Sequence, residues 1–116
     1  MAEFKVERIQ LGKVQSLRTQ GYLDDYGGQI LKEICTKAID EGNNRFIFNF
    51  SGTPVINSYG LSILLDLMVR IIDYNDGKVG VTGLSRMTRK ALEMTGVLTL
   101  AAEFASEAEA QMALDV

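Results

Sequence analysis

The chain contains no histidine, one cysteine and one proline among 116 residues. Without histidine, His-based catalytic triads and His-containing zinc sites are excluded together. A lone Cys35 forms no internal disulfide and no C-x-x-C redox pair, which fits a reducing compartment. It falls among Ile34 and Ile39 in a helical pattern, so it reads first as a buried structural thiol and second as a reactive one. Neither G-x-G-x-x-G nor G-x-x-x-x-G-K-[ST] occurs, so nucleotide binding has no motif. No basic run tracks phosphates, and the formal net charge of -3 argues against general affinity for nucleic acid or anionic membrane.

Long hydrophobic runs are missing as well. The longest, Leu61 to Ile72, is interrupted by Ser62, Asp66 and Arg70 and is too short to span a bilayer, so no direct membrane insertion is expected. The N-terminal MAEFKVERIQ lacks a basic segment followed by an apolar one and does not read as a secretory signal; a cytoplasmic location follows as the expectation. The length suits one domain, residues 1–116, able to bury roughly 65% of its unfolded surface without metal or disulfide staples. No cofactor is called for.

What is present is an alternation of strand and helix signals. Phe4 to Ile9, a turn at Gly12-Lys13, and Val14 to Thr19 predict a hairpin. Gly21 to Asp25 supplies acids for a helix start. Ile30, Leu31, Ile34, Ala38 and Ile39 recur at helical spacing up to Gly42, although Gly27-Gly28 predicts a frayed or shortened beginning. Arg45 to Phe50 is nearly continuous in apolar residues, as in a strand buried on both faces. Pro54 stops it, and Tyr59 to Tyr74 predicts a long helix. Lys78 to Thr82 reads as a strand, Arg86 to Met94 as a helix closing at Gly96, and Val97 to Leu100 as an edge strand. Ser106 to Leu114 is a last helix with capping-box spacing. The fold class is a single α/β domain: a mixed sheet of four to five strands packed with about four helices.

The junction FIFNFSGTPVINSYGLSILL carries the most information. A strand passes through a short polar loop into an apolar helix, with Ser58 at the helix start. Free N–H groups and the helix dipole there favour an anion, so Ser58 reads either as a modification target or as an ordinary cap. On a helical wheel Ser62, Asp66, Arg70 and Asp73 form a narrow polar side, and Leu61, Leu64, Leu65, Met68, Ile71 and Ile72 form the stripe for the sheet. Ile63 and Leu67 lie outside that stripe, near Tyr59 and Tyr74. The apolar arc is then about twice the 100° that packing on one surface needs. A neighbouring helix covers Ile63 and Leu67, or they form an exposed patch for another protein. Asp24 and Asp25 read as solvated capping acids or as a carboxylate pair; no third acid supports a metal site. Arg86, Arg89 and Lys90 form a small basic face, either solvated or in contact with a partner or phosphate.

Three markers in order now resemble a bacterial STAS domain of the anti-sigma factor antagonist family. Gly21-Tyr22-Leu23-Asp24 is similar to the family's G-x-L-D. The segment Phe48 to Leu61 is similar to its strand, hydroxyl residue and x-x-x-I-D-S-[ST]-G-L. Gly83-Leu84-Ser85 followed by Leu92-Glu93-Met94-Thr95-Gly96-Val97 is similar to its L-E-x-T-G-L. The resemblance implies a non-enzymatic switch. A serine-protein kinase with an ATPase-type fold, often itself an anti-sigma factor, binds the unphosphorylated form and phosphorylates the serine at Ser58; a PP2C-type phosphatase resets it. It also implies a phosphosite loop of Asn57, Tyr59 and Gly60 with Asp24 nearby; on the exposed-patch reading of the apolar arc beside that loop, Tyr59, Ile63 and Leu67 are the expected partner contacts. Asn57 stands where the family usually has aspartate, keeping the capping shape without the charge. Tyr59 replaces a small residue. An adaptor or structural subunit of a transport or signalling assembly, with Ser58 unmodified, is the alternative.

Overall fold

The computed structural model describes residues 3–116; the first two residues of the N-terminal segment and of the expected domain lie outside the described residues. β1 (Lys5–Leu11) and β2 (Val14–Gln20) pair antiparallel across the two-residue turn at Gly12-Lys13. α1 (Asp25–Asp40) then leads to β3 (Arg45–Gly52), which pairs parallel with β2. β4 (Lys78–Thr82) and β5 (Ala102–Phe104) extend the sheet in parallel, giving the order β1-β2-β3-β4-β5. Each parallel step is made by a helix: α1, then α2 (Ser58–Val69), then α3 (Arg86–Thr95). α4 (Glu107–Leu114) ends the chain. The expected mixed sheet with four helices is what forms.

Phe46, Ile47, Phe48 and Phe50 make β3 nearly continuous in apolar residues because both of its faces are covered. Phe46, Phe48 and Phe50 enter the main core with Leu31, Cys35, Leu64, Met68 and Leu92. Ile47, pointing the other way, joins Val14, Ala110 and Leu114 beneath α4. Period-two alternation thus assigns neighbouring residues to two separate apolar layers.

Three expectations change. The beginning of α1 is neither frayed nor short: the helix starts at Asp25, capped by Asp24, whose Oδ1 accepts the Gly27 N–H at 2.8 Å. The paired glycines are there for close approach. A Cβ on Gly27 would lie 2.8 Å from Phe4, and one on Gly28 would lie 2.4 Å from Ile63 Cδ1. Secondly, α2 ends at Val69, and Arg70–Tyr74 form a widened π turn. The Arg70 carbonyl accepts from Asn75 Nδ2 at 2.8 Å and the Ile71 carbonyl from the Gly77 N–H at 2.9 Å, both reaching beyond the α-helical i+4 partner.

Thirdly, Val97–Thr99 is a 3-10 turn and not the edge strand. Gly96 takes φ +78°, which reverses the chain, and the N–H groups of Thr99 and Leu100 bond back to the carbonyls of Gly96 and Val97. Val97 is thereby spent on the core, fully buried, and strand pairing starts only at Ala102.

Candidate functional site

The loop after β3 is pinned on three sides before it reaches α2. Thr53, fully buried, shares a 2.6 Å hydroxyl hydrogen bond with Thr19, at the irregularity in the β2–β3 register. The Pro54 carbonyl accepts from Ser85 Oγ at 3.0 Å, tying the loop to the start of α3. The Val55 carbonyl accepts from the Leu23 N–H, and the Asn57 N–H donates to the Leu23 carbonyl, each at 3.1 Å. This short parallel bridge of Leu23 with Ile56 sets Asp24 beside Asn57, so α1 and α2 begin side by side.

Each start is closed by its own side chain. Asp24 caps α1, as the capping-acid reading expected, and Asn57 Oδ1 caps α2 by accepting the Gly60 N–H at 2.9 Å. The cap of α2 is therefore Asn57, and Ser58 is the first helical residue rather than the cap. Gly60 is required for this geometry: a Cβ there would sit 2.2 Å from the Leu23 carbonyl oxygen. Ser58 itself is exposed, and its hydroxyl has no hydrogen-bond partner among the described residues. The N–H groups of Ser58 and Tyr59, in the first turn, have no intrahelical acceptor. The combination is an accessible hydroxyl at the positive end of a helix dipole on a rigidly held loop.

Of the residues expected around it, Asp24, Asn57, Ser58, Tyr59 and Gly60 converge. Tyr59 projects into solvent with 69% of its surface exposed. Ile63 is half-buried with its Cδ1 over Gly28. Leu67 has to be corrected: it is 1% exposed and part of the main core, because α1 packs along that side of α2 with Leu31, Cys35 and Ala38. The covered reading holds for Leu67, which has no surface to offer a partner.

The remaining candidates are quieter. Cys35 is fully buried and its thiol is pushed up to about 12 by burial, which makes it an inert structural group. No group of three potential metal ligands occurs among the described residues. Arg89 pairs with Glu103 at 2.6 Å, whereas Arg86 and Lys90 are exposed and in no ion pair among the described residues.

Sequence reasoning passed over two features. One is the backbone of Leu23, whose role depends on a loop thirty residues away in the sequence. The other is the pair Met87 and Met94, 65% and 80% exposed, which flank a shallow groove next to Val55 and Ile56. Their spacing of seven on an otherwise polar helix was a usable signal.

The comparisons with known proteins agree with this architecture. A structure described as a putative anti-sigma factor antagonist from Thermotoga maritima superposes with a TM-score of 0.86 at 14% identity, covering 96% of this chain and 95% of that one. The Bacillus cell fate determinant SpoIIAA in its phosphorylated form gives 0.74 at 23% identity, covering 96% and 98%. A sulfate transporter family protein from Wolinella succinogenes gives 0.76 at 19% identity, covering 93% of each. A comparison with curated proteins found no match. These likenesses establish the fold. With the STAS domain family model matching residues 5–110, and with the strand-loop-helix junction in place, the chain belongs to the STAS domain family.

Proposed function

We propose that the protein is a partner-switching regulator of the anti-sigma factor antagonist kind. Its unphosphorylated form binds a serine-protein kinase or anti-sigma factor with an ATPase-type fold, and phosphorylation of Ser58 releases that partner. A PP2C-type phosphatase resets the cycle, in the cytoplasm, and the domain performs no catalysis of its own. The observation that carries this reading is the exposed Ser58 hydroxyl, without a hydrogen-bond partner among the described residues, at the first position of α2 beside the projecting Tyr59.

Phosphorylation adds about -1.5 to -2 charge and three acceptor oxygens. At a helix N-terminus the fold tolerates that charge. In an interface that includes Tyr59 and Ile63, the same charge has to be desolvated. A loss of about 1.4 kcal/mol already weakens binding tenfold, and an unpaired buried charge costs more. Asn57 keeps the cap while removing a carboxylate next to the hydroxyl, which lowers the local negative charge before modification.

Intact mass after incubation with serine kinases of ATPase-type fold and ATP tests the reading. One added phosphate, absent in Ser58→Ala, is expected, together with loss of kinase binding in Ser58→Asp. No added phosphate, with binding unaffected by Ser58→Asp, sinks it. A second reading, an unmodified STAS adaptor in a transport or signalling assembly, is favoured by the likeness to the sulfate transporter family protein and by the missing aspartate at Asn57.

A further inference from the structure

Beside the Ser58 loop lies a shallow groove lined by Val55, Ile56, Met87, Lys90, Ala91 and Met94. Met87, Ala91 and Met94 repeat at helical spacing along α3, so the apolar floor runs about 10 Å, two turns of helix. The inward face of α3 is already satisfied by Thr88 and Leu92, both fully buried. The methionines therefore contribute nothing to the core, and flexible thioether side chains on a surface adapt to an apolar ligand.

The backbone beside the groove decides what shape can fill it. The Val55 carbonyl and the Asn57 N–H are both spent on Leu23, and the Thr53 N–H on the Phe50 carbonyl. Ile56 alone, between these bonded neighbours, has neither its N–H nor its carbonyl bonded among the described residues, too short an edge for the ladder of an added β-strand, whereas a helix needs only side-chain contacts. Charge decides the chemistry. Lys90 is the one charged residue lining the groove, Arg86 precedes Met87, and neither has an ion pair among the described residues. Glu93 faces Arg89, which is itself occupied by Glu103.

We propose that this groove seats an amphipathic helix of a partner protein, apolar on the face against the methionines and acidic along the rim at Lys90 and Arg86. The groove stands on its own geometry; its control by Ser58 rests on the switch reading. Ile56 lines the groove two residues before Ser58, so a phosphate on Ser58 puts negative charge at the end of a site built for a negative ligand.

The test uses the full chain, isotope-labelled for amide NMR. The probes are two lactam-stapled helical peptides with leucines on one face, one rimmed with Glu and one with Lys. The Glu-rimmed peptide is expected to shift the amides of Val55, Ile56 and the Met87–Met94 stretch and to bind about tenfold tighter than the Lys-rimmed one. Lys90→Glu reverses that preference. Met87→Glu with Met94→Glu, both at exposed positions, weakens binding about tenfold while leaving the rest of the spectrum in place. Shifts elsewhere, equal binding of the two peptides, or no binding overturns the proposal. So do concentration-dependent shifts of the same amides without peptide, which mark a second copy of the chain as occupant. Ser58→Asp is expected to weaken the Glu-rimmed peptide. If that variant binds unchanged, control by Ser58 is overturned and the groove stands; if Ser58 takes up phosphate while neither peptide binds, the switch stands and the groove falls.

Discussion

Asn57 and Gly60 decide whether Ser58 is presented at all. Asn57→Ala removes the cap on α2 and is expected to cost about 1 kcal/mol, read as a lower urea midpoint with unchanged slope. Asn57→Asp keeps the cap and restores a carboxylate at the dipole's positive end, so its stability stays at or above the parent's. Gly60→Ala is harsher, since the added methyl collides with the Leu23 carbonyl at 2.2 Å and backbone cannot swing aside as a side chain can. A loss of about 2–4 kcal/mol is expected, with amide shifts spreading to Leu23 and Asp24. The need for an Asx cap was readable in the sequence, because the loop ends Ile56-Asn57-Ser58 before an apolar helix. Asn57 was legible as a residue of capping shape, and its bond to the Gly60 N–H is local; that Gly60 leaves room for Leu23 was not, because it depends on a second loop arriving alongside.

Among the elements, α4 packs Ala110 and Leu114 on the sheet and clamps its first turn there through one carboxylate. Glu107 accepts from Ser16 Oγ at 2.6 Å, from Arg18 at 2.6 and 3.0 Å, and from Asn49 Nδ2 at 3.0 Å. The Arg18 hydrogen bond is the chief reason its carboxyl is held down at about 2; the bonds from Ser16 and Asn49 add to it, and partial burial opposes them. The folded value lies below the ordinary 4.5, so the clamp stabilises the protein fully above about pH 5 and loses that contribution as the pH falls toward 2. Glu107→Gln is expected to be less stable by about 1–2 kcal/mol at pH 7, with the difference from the parent closing at acid pH in urea titrations. The helix was legible from Ser106 and Glu109, and Ser106 Oγ does accept the Glu109 N–H. The clamp was not, because Ser16, Arg18 and Asn49 sit on two strands that only the parallel pairing sets side by side.

For the whole molecule, the layering of α1, α2 and α3 on one face of the sheet and α4 on the other separates surface from core. Leu67→Ala is expected to cost about 2–5 kcal/mol of stability, the usual range for emptying a packed core site, while the surface of the folded protein stays as it was. Tyr59→Ala, at an exposed position, is expected to leave stability within about 0.5 kcal/mol. Chemical denaturation of the two variants side by side separates these outcomes.

The sequence by itself determined the alternation of strands and helices, the double-sided burial of β3, the helix start at Ser58 and the exclusion of histidine-based catalytic and zinc sites. Each follows from local periodicity, capping residues or composition. The tertiary structure alone decided which apolar residues of α2 remain at the surface. An apolar arc twice as wide as one contact needs has no preferred side until a neighbour arrives, and α1, brought close by Gly28, took Leu67 and half of Ile63. Likewise, only the meeting of Val55 and Ile56 with α3 turned two methionines on a polar helix into a groove, because a concave surface needs two elements and a local pattern describes one.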